Sequence, residues 1–140
     1  MSQPKKARII LVDDHADVLR QTTQVLPERF EVVGGSEDAS QLLKAVREWQ
    51  PDVVVLDITL ASVCGIELAR HLRASGCTTK IVFLTAHADS DYAYAAFEVG
   101  ALGYVLKPRM ATDLVPALDA ALSGKRFVSA CPELLEFQPL

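Results

Sequence analysis

Asp52-Val53-Val54-Val55-Leu56-Asp57-Ile58 is the stretch that decides how this chain folds. Its apolar centre is too short for a helix and contains no polar position, so it does not read as a strand with one wet face. Closed off by Pro51 in front and an acid behind, such a run reads as a strand covered on both sides, the habit of parallel sheets. Working outward, the same pattern recurs at residues 7–12 (ARIILV), 30–34 (FEVVG), 80–84 (KIVFL) and 103–106 (GYVL). Segments of helical period lie between and after these runs, at residues 17–26, 39–48, 66–74, 89–99 and 113–122. Strand and helix in strict alternation imply five parallel strands, right-handed crossovers and helices on both faces of one sheet.

The punctuation agrees with this division. Pro51 ends the second helix, and Gly76, Gly100 and Gly124 stand where helices should stop. Pro116 fits if Thr112 caps the last helix, because a proline in the first turn removes an amide with no intrahelical partner. After Gly124 the periodicity fades and two prolines appear, so residues 125–140 read as a tail or as the start of a linker, with one domain over residues 1–124. With 140 residues, half of them hydrophobic, the chain can bury a real core unaided. Fourteen basic against 18 acidic residues give a net charge of −4. This balance argues against binding to nucleic acid by charge. Cys64, Cys77 and Cys131 are an odd set without close spacing, which fits a reducing cytoplasm better than a disulfide framework. No apolar run reaches the roughly 20 residues of a membrane span.

Open parallel sheets bind ligands beyond the carboxyl ends of their strands. There the first run delivers Asp13 and Asp14, the third Asp57, the fourth Thr85 and the fifth Lys107 followed by Pro108. Taken singly, an acid after a strand is most often a helix cap and a lysine near a loop is most often solvated. Together they are different, because three converging carboxylates repel one another unless a cation joins them. An all-oxygen donor set suits magnesium better than zinc or copper. Asp57 is then a carboxylate nucleophile for phosphoryl transfer, with Lys107 and the metal neutralising phosphoryl oxygens and Thr85 hydrogen-bonding one of them.

The segments LVDDH, VVVLDI, FLTAH and GYVLKP resemble the successive motifs of the response-regulator receiver family, and the likeness runs from Arg8 to Gly124. It implies a doubly wound, flavodoxin-like (βα)5 sandwich with strand order 2-1-3-4-5. By the same resemblance Asp57 is the phosphoacceptor, Asp14 a direct magnesium ligand assisted by Asp13, and Thr59 a ligand through its backbone carbonyl. Lys107 pairs with the phosphoryl group, and its bond to Pro108 is often cis in this family. Thr85 and Tyr104 match the switch hydroxyl and switch aromatic, phosphorylation drawing the hydroxyl inward and letting Tyr104 turn toward the core. Small Ala86 leaves the phosphoryl group room, while Thr59 and His87 flank it and modulate its lifetime. The sequence departs from the family in the loop after Asp57, where Leu60, Ala61 and Cys64 replace the usual Met-Pro and Asn or Asp, so a looser loop is expected. The resemblance further implies a sensor histidine kinase as phosphodonor and a homodimer or attached output domain as the reader. It is strongest to the NarL/FixJ type, whose output domains bind DNA. A stand-alone phosphorelay receiver is the alternative.

Other readings of the same residues are weaker. His15, His71 and His87 lack ligand spacing for zinc; His15 reads as a solvated or helix-starting residue and His71 as surface. Tyr92, Tyr94 and Phe97 have the spacing of core packing with a partner-facing side, which a base-stacking platform does not require. An aspartate-nucleophile phosphatase of the haloacid-dehalogenase type needs a second acid two residues after the first, where this chain has Thr59. Neither GxGxxG nor a Walker loop is present for a nucleotide or flavin. The expectation is therefore a signalling domain that catalyses its own phosphorylation and dephosphorylation, not an enzyme with a separate substrate. It would not bind DNA by itself.

Overall fold

The computed structural model describes residues 6–36, 41–60 and 63–138. Its elements run in the order β1 (Ala7–Val12), α1 (Ala16–Val25), β2 (Phe30–Ser36), α2 (Leu42–Trp49), β3 (Val53–Leu56), α3 (Gly65–Ala74), β4 (Lys80–Thr85), α4 (Ser90–Glu98), β5 (Gly103–Leu106), α5 (Met110–Leu122) and β6 (Phe127–Val128). A 310 turn, Lys107–Arg109, joins β5 to α5, and a second, Pro132–Phe137, follows β6.

All strand pairings are parallel, in the order β2-β1-β3-β4-β5-β6. The expected order holds, with one more strand than the sequence indicated. Alternate residues of each strand serve two separate cores, which is why the runs look continuously apolar. Ile10, Val54, Leu56, Ile81 and Phe83 join α2, α3 and α4 on one face. Ile9, Leu11, Val53, Val55, Val82 and Val105 join α1 and α5 on the other.

Three expectations need correction. The fifth helix begins at Met110, three residues earlier than expected, so Thr112 lies inside it and is no cap. Pro116 therefore stands in the second turn, where its missing N–H leaves the Thr112 carbonyl without its helical donor at a cost of up to about 3 kcal/mol. Both residues are exposed, so water can reach that carbonyl. The peptide bond from Lys107 to Pro108 is trans. Pro108 sits in the first turn of a 310 helix, where its fixed φ is suitable and its lack of an N–H does no harm. Finally, the segment after Gly124 does not hang free. Phe127 and Val128 pair with Gly103 and Tyr104, and Leu134 is fully buried.

That segment also covers α4. Phe137 packs edge-on against Tyr94 at 4.8 Å between ring centres and lies 5.6 Å from Phe97. Arg126 stacks over Phe97 at 4.1 Å, and the Tyr94 hydroxyl donates to Glu136 at 2.7 Å. The expected start of the second helix at Ala39 falls outside the described residues. Among the described residues no helix is long and apolar enough to cross a membrane.

Candidate functional site

The parallel sheet brings the carboxyl ends of β1, β3, β4 and β5 to one rim, because neighbouring strands end in register: Val12 opposite Leu56, and Thr85 opposite Leu106. The residues just past those ends are Asp13, Asp14, Asp57, Ala86 and Lys107. Ligand atoms of Asp13, Asp14, His15 and Asp57 all lie within 4.8 Å of one another. Asp13 and Asp57 are almost completely buried, at 4% and 3% exposure. The Lys107 ammonium reaches across the rim to Asp13 Oδ2 and Asp57 Oδ2, 2.9 Å from each. Burial pulls this lysine toward its neutral form, but its hydrogen bonds with Asp13 and Asp57 and their charges outweigh that, and its pKa is raised. It stays a cation.

One ammonium does not balance three carboxylates. Asp14 Oδ1 is buried without a hydrogen bond although His15 Nδ1 is 3.0 Å away, and the cation beside buried Asp13 Oδ2 is the Lys107 ammonium that it shares with Asp57. Buried carboxylate oxygens left in that state are costly unless something else binds them. The residues therefore fit a hard divalent cation taken up through oxygen. A cleft of about 570 Å³, lined among others by Val46, Asp52, Cys77 and Lys80, lies at the opposite end of the strands. Its size does not make it the site, because it lacks the convergent charges of the acidic rim.

The loop after β3 forms one wall. The Gly65 N–H donates to the Ile58 carbonyl at 2.6 Å, and Thr59 bridges to Cys64 in antiparallel fashion. A Cβ at Gly65 would stand 1.9 Å from the Asp57 carbonyl oxygen, so only glycine permits this close return of the chain. Leu60 is buried in the core. These contacts hold the described ends of the loop; Ala61 lies outside the described residues.

The opposite wall comes from the loop after β4. The Thr59 hydroxyl lies 2.7 Å from His87 Nε2, and the His87 ring is tilted against Tyr92 at 5.0 Å. These two side chains reach over the rim from both walls. The Thr85 hydroxyl is fully buried and accepts the His87 N–H at 3.2 Å. Ala86 is exposed and presents no bulk.

Tyr104 is fully buried, and its hydroxyl donates to the His87 carbonyl at 2.6 Å. Burial first, then the nearby charge of Asp89, pushes its pKa far above the ordinary range, so it remains a hydrogen-bond donor. The inward position is stable because that carbonyl satisfies the hydroxyl while Val128 and Leu134, from the segment after α5, belong to the same core.

Sequence reasoning missed two features. His15 is solvated and starts α1 as expected, its side chain 63% exposed, but its Nδ1 also lies 2.9 Å from Asp13 Oδ1 at the edge of the acidic group; its position next to the acid pair was the available signal. His71 is exposed on α3 as expected. The second feature is a buried polar knot at the back of Lys107. Ser129 Oγ accepts the Leu106 N–H at 3.1 Å and donates to Asp113 Oδ2 at 2.7 Å, and Arg109 Nε donates to that same oxygen at 2.9 Å. Burial would raise the Asp113 pKa, but bonds from Ser129, Arg109 and Thr112 outweigh it and hold the carboxyl below its usual value. Nothing in the sequence distinguished Ser129 from any other loop serine.

Comparison with known proteins agrees with this geometry. Residues 9–119 match the model of the response regulator receiver domain. The chain is 33% identical over 121 residues to the transcriptional regulatory protein LiaR of Bacillus subtilis, covering 84% of this chain and 57% of LiaR. It is 35% identical over 111 residues to DesR of the same organism, covering 79% and 54%. It thus spans little more than half the length of these relatives. Among solved structures, a LuxR-family two-component response regulator from Aurantimonas sp. SI85-9A1 superposes with a TM-score of 0.84 at 38% identity, covering 94% of both chains. The non-phosphorylated receiver domain of RcsB from Escherichia coli superposes with a TM-score of 0.83 at 27% identity, covering 90% of this chain and all of that one. Sheet order, acidic rim and sequence match all lead to one conclusion: this chain belongs to the response regulator receiver family.

Proposed function

We propose that the domain accepts a phosphoryl group on Asp57 from a phosphohistidine of a sensor histidine kinase, and that the acyl phosphate changes its affinity for protein partners. The observation that carries this reading is the placement of the Asp57 carboxylate: buried at the end of β3, bonded to Lys107 at 2.9 Å and within 4.8 Å of Asp13 and Asp14. In the transfer an Asp57 oxygen attacks phosphorus, the P–N bond to the donor imidazole breaks, and that nitrogen keeps the electron pair. Lys107 is positioned to hold a phosphoryl oxygen as negative charge shifts, and Thr85 to donate its hydroxyl proton to another. Asp13, Asp14, Asp57 and the Thr59 carbonyl would hold magnesium, which supplies charge neutralisation when bound. Water hydrolyses the acyl phosphate later, and Thr59 and His87, meeting over the rim, restrict its approach.

The output is read through protein contacts. A homodimer or an output domain fits a chain that spans 57% of LiaR, a relative named as a transcriptional regulatory protein. A RcsB structure from Salmonella typhimurium, described in terms of DNA interaction, has only 67% of its length covered by this chain. By this reading the domain regulates transcription through an attached module and has no DNA affinity of its own, as its charge of −4 implies. A domain boundary at Gly124 would cut through the packing of β6 on β5, so an attached module is better placed beyond Gln138. The direct test is intact mass spectrometry after incubation with acetyl phosphate and Mg²⁺. One phosphoryl group is expected on the wild type and none on Asp57→Asn; equal modification of both proteins overturns the assignment.

A further inference from the structure

We infer that Ser129, from the segment following α5, is a positioning residue for Lys107 in phosphoryl transfer, so that this segment belongs to the phosphorylation machinery. The inference rests on Asp57 being the phosphoacceptor.

Lys107 opens the 310 turn between β5 and α5. Its aim at Asp57 depends on where that turn is held. β6 pairs with β5 only at Gly103 and Tyr104, and the Ser129 N–H then bonds the Tyr104 carbonyl at 3.0 Å. Backbone pairing on that edge stops there, leaving the Leu106 N–H to be met by a side chain. Ser129 Oγ accepts it at 3.1 Å. The same hydroxyl gives its proton to Asp113 Oδ2, on the first turns of α5, at 2.7 Å. One side chain thus ties the residue immediately before Lys107 to the helix that follows the turn, and Arg109, inside the turn, closes the loop through Asp113 at 2.9 Å.

The knot is built to be rigid. Ser129 is fully buried and Asp113 is 7% exposed. The Ser129 carbonyl is occupied as well, accepting Gln138 Nε2 at 2.8 Å. Every polar group of Ser129 therefore has a partner, and its hydroxyl has little freedom to turn elsewhere. Asp13 and Asp14 are held at the end of β1, outside this knot, so its loss should move the lysine and spare the metal ligands.

The test uses the full 140-residue chain. The initial rate of phosphorylation by subsaturating acetyl phosphate is followed by intact mass, and Mg²⁺ affinity is measured by calorimetry. Ser129→Ala is expected to slow phosphorylation about tenfold while Mg²⁺ affinity stays within about twofold. In a Lys107→Ala background the same substitution should change the remaining rate by less than about twofold, since the two residues act through one contact. A purely structural role would give equal losses in both backgrounds. Asp113→Asn, which removes the charge while keeping the volume, should slow the reaction in the same direction and covers the case in which Ser129→Ala does not fold. Full-rate phosphorylation of Ser129→Ala, an equal effect without Lys107, or a parallel loss of Mg²⁺ affinity each overturns the inference. If the wild type gains no phosphoryl mass at all, the reading of Asp57 fails and takes this inference with it; a normal wild type beside an unaffected variant refutes the inference alone.

Discussion

Replacing Asp14 by Asn should make the metal-free protein more stable and at the same time abolish its stabilisation by magnesium. Asp14 faces the carboxylates of Asp13 and Asp57, with ligand atoms no more than 4.8 Å apart. Two like charges at that distance repel by roughly 3.5 kcal/mol at an effective dielectric of about 20, so two neighbours amount to about 7 kcal/mol before any offset. Lys107 offsets part of the repulsion, but its ammonium is spent on Asp13 and Asp57. Solvent also screens Asp14, whose side chain is 23% exposed, and the substitution sacrifices part of its contact with His15. A net gain of about 1–2 kcal/mol is what survives, corresponding to a rise in Tm of roughly 3–7 °C for a domain of this length. The wild type should gain about 2.7 kcal/mol from magnesium at a hundredfold excess over its Kd, whereas the variant should gain almost nothing. Thermal melts followed by circular dichroism, in EDTA and in a magnesium series, would therefore cross: the variant melts higher without metal and lower with it. A variant that melts below the wild type in EDTA, or keeps the magnesium gain, would refute the idea that these carboxylates are crowded for the sake of a cation.

Two further outcomes follow from the walls of the site. Gly65→Ala would place a Cβ 1.9 Å from the Asp57 carbonyl oxygen. The backbone must therefore shift and lose the bond from Gly65 to Ile58, at an expected cost of about 3 kcal/mol in urea unfolding; a loss below about 1 kcal/mol would mean the loop is softer than its geometry implies. His87→Ala opens the bridge to Thr59 and should change the half-life of the acyl phosphate severalfold while leaving its formation intact. Loss of phosphoryl mass over time measures this directly, and an unchanged decay would remove His87 from the control of water.

The sheet was readable from the sequence because a parallel strand buried on both faces leaves an unambiguous trace. Val53 and Val55 serve one core and Val54 and Leu56 the other, so no polar residue is tolerated along the run. The acidic rim was readable for a related reason: once strands are placed, the first residue past each carboxyl end is assigned to the site by topology alone. Asp13, Asp57 and Lys107 needed no side-chain information to be brought together. The state of Tyr104 is another matter. Whether an aromatic lies in or out depends on a hydroxyl finding the His87 carbonyl across a loop, and a one-dimensional pattern contains no record of such a contact. Pro116 misled in the same local way, since rules for capping place a helix start by residue type, while tertiary contacts of Met110 and Leu114 with the sheet drew the start of α5 forward.

The residues after Gly124 were hardest to read because their structure is borrowed from what they cover. Two-residue β6 has too few positions to show a period, and the 310 turn after it buries only Leu134 completely. What organises them is α4. Its Tyr94 and Phe97, expected to combine core packing with a partner-facing side, are partly covered by the chain itself, through Phe137, Arg126 and Glu136. Tyr94 nevertheless remains 55% exposed, so the cover is partial. A protein that docks on α4 therefore meets a composite surface, helix and C-terminal segment together. That segment is also bonded at Ser129 to the strand that ends in Lys107. If Asp57 accepts a phosphoryl group and Ser129 positions Lys107 as proposed, a contact that moves this segment would be coupled through one hydroxyl to the lysine, and by thermodynamic reciprocity a change in phosphoryl state that moves the lysine would alter the affinity of that contact.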